Sequence, residues 1–80
     1  MEVEFVGRVM ARLMAINAEL EEYAKVLLTR DTGRMFRGGW SEDDAARCLM
    51  CTEEVNPHIS EKVACDRMRE IHAKYPPLGV

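Results

Sequence analysis

Residues 6–27 read VGRVMARLMAINAELEEYAKVL, and within them Val6, Val9, Leu13, Ile16, Leu20, Tyr23 and Leu27 recur at alternating steps of three and four. That spacing marks a heptad seam along one face of an α-helix. Ala11, Ala15, Ala18, Ala24 and Met10 broaden the apolar surface, which predicts a helix packed on two sides. Gly7 weakens it only near its start. A helix of this extent is more than about 30 Å long, longer than a short later element covers alone. The seam of Val9, Leu13, Ile16, Leu20, Tyr23 and Leu27 therefore predicts a homodimer or a partner helix laid along it.

Beyond Thr29 the seam stops. Residues 30–40, RDTGRMFRGGW, carry three glycines and no helical period, which predicts a loop. Ser41 then precedes Glu42, Asp43 and Asp44, a helix start in which the serine hydroxyl accepts from a free amide and the acids match the positive end of the dipole. Trp40, just before the cap, is placed to fold over Ala45 as a hydrophobic staple. This second helix is expected to end near Cys51 or Thr52, because Asn56-Pro57 follows closely. The last helix has two possible starts, at Asn56-Pro57 or at Ser60, and its stripe is Ala64, Met68, Ile71 and Tyr75, closed by Pro76-Pro77. Ile59 and Val63 fall on a different face, which favours a break before about residue 63. The expected fold is thus mainly α: one domain over 1–80, with a long helix over 1–29, a loop over 30–40, and a short helix, connector and C-terminal helix over 41–80.

A chain of 80 residues holds one thin core, burying about 60% of the surface its unfolded form exposes. Eleven basic residues against fourteen acidic ones give a net charge of −3. Residues 1–40 hold six of each sign and residues 41–80 hold five basic and eight acidic, so the excess lies in the second half. No global field draws such a chain onto duplex nucleic acid. Glu2 and Glu4 stand where a secretory signal would be basic, and no apolar run approaches the ~20 residues that span a bilayer, which predicts a cytoplasmic protein without a membrane partner. The odd count of three cysteines argues against a disulfide framework.

Cys48 and Cys51 form a C-x2-C pair, Cys65 follows after thirteen residues, and Met68 stands three beyond it. A cysteine at 68 would complete a four-thiolate zinc pattern. The text around them, RCLMCTEEV at 47–55 and VACDRMREI at 63–71, resembles a treble-clef zinc finger, with Val55 four residues after Cys51 where such fingers often hold an apolar side chain. Thr52 replaces the usual glycine and Met68 the fourth thiolate. With one long helix ahead of it, the layout is similar to that of the DksA/TraR-like regulators of RNA polymerase. The resemblance covers about residues 47–74 and implies a zinc-stabilised connector. His58 is the alternative fourth ligand, making Cys48, Cys51, His58 and Cys65 the metal set, with zinc the implied ion. His72 is a poorer choice, because seven residues along a helix place it ~10 Å from Cys65. The competing reading has Cys48 in the inner face of the second helix with Ala45 and Leu49, and Cys65 flanking the last stripe, with no metal.

Arg30, Arg34 and Arg37 interleave with Phe36 and Trp40, a mixture that suits base stacking or phosphate contact, or simply two anchors and solvated arginines. Glu42, Asp43, Asp44, Glu53 and Glu54 offer an acidic surface to a basic partner. No Ser/His/Asp order, phosphate loop or H-E-x-x-H is present, and two histidines leave little material for a tuned cleft. The expected function is therefore not enzymatic. It is a small protein-binding regulator or inhibitor of a larger machine, a description that also suits a phage-borne inhibitor of the anti-CRISPR type. The alternative is a zinc-stabilised transcription or nucleic-acid module.

Overall fold

The computed structural model describes residues 2–23, 30–52 and 55–75, and over them the chain is mainly α. Helix α1 spans Glu2–Ile16, a 3-10 turn η1 spans Ala18–Tyr23, and α2, α3 and α4 span Arg30–Arg37, Glu42–Leu49 and Glu61–His72. Helix α1 is central, packing on η1, α2 and α3, and α3 in turn packs on α4.

The first helix is shorter than its heptad pattern predicts. It stops at Ile16 because Asn17 offers the backbone another partner: its Oδ1 accepts from the Glu19 amide at 2.9 Å, and its carbonyl accepts from Leu20 at 3.1 Å. The chain tightens into η1 and turns back over the core. Val9 and Leu13 are fully buried and Leu20 nearly so, all within this one chain, while Tyr23 is packed against the same cluster. The expectation that the seam outruns its own chain is corrected for these positions. Ile16 alone among the described seam residues stands open, at 66% exposure, and Leu27 lies outside the described residues.

The segment expected to be a loop is a helix. In α2, Thr32 and Met35 are buried against the core. Gly33 sits under the Glu2 carboxylate, where a Cβ would collide with Glu2 Oε1, and Glu2 in turn pairs with Arg37 Nη1 at 2.8 Å. The Glu2 side chain thus joins the start of α1 to α2. The helix ends as a Schellman motif: Gly39 takes φ +78°, its amide donates to Phe36, and the Trp40 amide donates to Met35 at 2.9 Å.

Both serine caps form. Ser41 Oγ accepts from the Asp44 amide at 3.1 Å and Ser60 Oγ from the Val63 amide at 3.3 Å, so the last helix starts at the second of its two possible sites. Ala45, Ala46, Cys48 and Leu49 carry α3 into the core. Helix α3 ends at Leu49 and continues as turns in which Cys51 and Thr52 donate to Cys48 and Leu49. Ile71 is fully buried on α4, with Met68 and Tyr75 packed beside it.

Candidate functional site

Three places gather chemistry: the start of α3, the sulfur pair behind its end, and a groove along α1, α3 and α4.

At the start of α3 the acids are drawn inward. Glu42 pairs with Arg8 and with Arg12, the latter at 3.2 Å, and Asp43 pairs with Arg12. The Arg8 hydrogen bond holds the Glu42 carboxyl below its ordinary range, with Arg12 assisting. Asp44 is buried and accepts from the Tyr75 hydroxyl at 2.6 Å, while Tyr75 Oη accepts from the Ser41 amide at 3.2 Å. Tyr75 stacks on Trp40 with ring centroids 4.5 Å apart, and His72 meets Trp40 edge-on at 6.1 Å. The Tyr75 hydrogen bond is the main cause that lowers the Asp44 pKa, with burial opposing it and Lys74 and Arg47 reinforcing it. This cluster joins the end of α4 to the start of α3. Of the acidic set expected to meet a partner, Glu42 and Asp44 are engaged within the chain, Asp43 keeps a side chain 71% exposed, and Glu53 and Glu54 lie outside the described residues.

The cysteines are separated in character. Cys48 is buried, Cys51 half-buried and Cys65 exposed. Burial, with Cys51 and Asp31 adding to it, pushes the Cys48 thiol up to about 11. Its Sγ donates to Met68 Sδ at 3.5 Å. Residue 68, where a four-thiolate pattern would place its last cysteine, is thus brought against Cys48. His58 is exposed and lines a polar cleft with residues 17–23 and Val55–Pro57. Among the described residues, no group of three or more His, Cys, Asp or Glu is placed to hold a metal, so Cys48, Cys51, His58 and Cys65 do not converge. The connector holds turns and no strand over its described part.

Of the arginine set, Arg30 opens α2, Arg34 is half-buried, and Arg37 is paired with Glu2. They share a helix rather than an open loop.

The groove has no signature in the linear sequence, because its residues come from three helices. It measures about 840 Å³, with Ala15, Ile16, Ala46 and Met50 forming apolar walls and Arg12, Arg47, Arg67 and Asp43 around them. Arg12 is tied to Glu42 and Asp43, and Arg47 reaches Asp44 at 3.4 Å and Glu70 at 3.3 Å. Arg67 is exposed and has no carboxylate partner among the described residues. Its neighbours Asp66 and Glu70 are already paired, with Lys62 and Arg47. Among the described residues no helix is long and apolar enough to cross a membrane. No protein-family model matches the chain, and neither a curated protein nor a solved structure matches it.

Proposed function

We propose that this chain is a small, non-enzymatic protein-binding regulator that inhibits or adapts a larger complex, and that it docks through the groove along α1, α3 and α4. The observation that carries the reading is Ile16, a large aliphatic side chain left 66% exposed beside Ala15, Ala46 and Met50. A lone exposed aliphatic is ordinary, but one set in a groove between helices and edged by arginines has the form of an anchor site: an apolar centre with a charged rim.

The charge of that rim selects the partner. Three arginines and one aspartate line the groove of a chain whose net charge is −3. A partner that presents an apolar side chain flanked by carboxylates satisfies both parts, with Arg67 supplying a cation that has no carboxylate partner among the described residues. The basic-surface partner expected for the acidic residues has less support, since Glu42 and Asp44 are held by Arg8, Arg12, Tyr75 and Lys74. Nor does the arginine set favour nucleic acid, since Arg37 is committed to Glu2.

The test is co-purification of tagged chain with its partner from the cells that make it. Ile16→Asp and Arg67→Glu, both at exposed positions, are expected to abolish capture while leaving the melting temperature within a few degrees. Capture that survives both substitutions contradicts the docking site.

A further inference from the structure

We propose that Cys48, Cys51 and Met68 form a binding site for one soft monovalent metal ion of the copper(I) class. The proposal is independent of the groove and of any partner.

Its basis is the meeting of two spaced pairs. The chain carries C-x2-C at 48–51 and C-x2-M at 65–68, and folding brings one member of each within 3.5 Å, Sγ of Cys48 to Sδ of Met68. Cys51 follows one turn after Cys48, with its amide donating to the Cys48 carbonyl at 3.0 Å, so the backbone keeps its helical sense. Residues three apart on such a turn share a face, with Cβ atoms about 5–6 Å apart. A metal–thiolate bond is about 2.3 Å, so three sulfurs around one ion lie about 4 Å from one another. The Cys48–Met68 separation therefore needs to open by only a few tenths of an ångström, which the flexible thioether of half-buried Met68 allows.

The donor set chooses the ion. Two thiolates and a thioether, with neither nitrogen nor oxygen, are soft ligands that suit copper(I), whereas zinc prefers a fourth thiolate or an imidazole. The two histidines lie elsewhere: His58 lines the cleft beside η1 and His72 lies against Trp40. Cys65 is exposed on α4 and stands outside the trio. On binding, the thiols of Cys48 and Cys51 each release a proton to solvent, all three sulfurs donate electron pairs, and the ion keeps its oxidation state. The bound ion would join the last turn of α3 to the middle of α4.

The experiment is anaerobic titration of the reduced full chain with copper(I) against a competing chelator, followed by thermal melting. One ion per chain and a raised melting temperature are expected. Met68→Leu nearly conserves volume and should leave the fold intact. It should weaken copper(I) at least by the about tenfold that loss of even an outer contact costs. Cys51→Ser should do the same, and Cys65→Ser should leave affinity unchanged. Zinc(II) added in equal amount should not displace copper(I). The site is refuted by failure to take up copper(I), by wild-type affinity in a folded Met68→Leu chain, by an equal loss in Cys65→Ser, or by displacement with zinc.

Discussion

Tyr75 gathers three contacts from the far end of the chain onto the start of α3. It donates to the buried Asp44, accepts from the Ser41 amide, and stacks on Trp40, so one phenol fixes the cap of α3, its first turn and the residue before it. Tyr75→Phe keeps the stack and deletes both hydrogen bonds, and by leaving a buried carboxylate short of a donor it should cost about 1–3 kcal/mol in a denaturant titration. The same contact has a pH signature. Because Asp44 titrates below its ordinary value of 3.8 in the folded chain, its stabilisation is present above that value and lost as the pH falls through the lower, folded one. Acid titration of stability should therefore be steeper below about pH 4 in the wild type than in Tyr75→Phe; parallel curves would contradict the role given to Tyr75. The cysteines offer a second residue-scale comparison. Exposed Cys65 should be alkylated well before Cys48, which is buried and has its pKa pushed up to about 11, as mass spectrometry of partly modified chain would show. Modification of Cys48 first would mean that the packing around it is wrong.

At the scale of elements, the local signals were readable and the tertiary ones were not. Ser41 and Ser60 mark their helices because a cap acts within three residues, and the stripe through Met68, Ile71 and Tyr75 shows because one face of one helix carries it. Helix α2 hides behind Gly33, Gly38 and Gly39. The last two do end it, but Gly33 lies within it, beside the Glu2 carboxylate, a contact across 30 intervening residues that no local pattern reveals. The break after Ile16 did have a local cue in Asn17, whose side chain competes for backbone amides, but the heptad spacing runs through it unbroken. The consequence is measurable. Leu13→Ala empties a fully buried position and should cost about 2–5 kcal/mol, whereas Ile16→Ala, on the same seam, should change stability by less than about 0.5 kcal/mol. Equal losses at both positions would restore the picture of one continuous face covered by another chain.

Across the whole molecule, α1 is held by apolar contact on its inner side and by arginine–carboxylate pairs at its margin, Arg8 and Arg12 to Glu42 and Asp43, and Arg37 to Glu2. Exposed pairs of this kind contribute at most about 1 kcal/mol each, so they set which faces meet more than how firmly. They also decide what is left for a partner. The acidic cluster looked available in the sequence because the arginines that pair with Glu42 lie some thirty residues away, and folding commits Glu42 and Asp44. The groove around Ile16 and Arg67 stays open, assembled from α1, α3 and α4 and so invisible to any motif. The most direct test of the central claim is to place a photo-crosslinking amino acid at Ile16 or, as a control, at Val3, which is 76% exposed on the same helix and is not among the groove residues. Irradiation in the cells that make the protein should give a discrete adduct from position 16 that is absent from position 3; adducts from both alike, or from neither, would contradict the account.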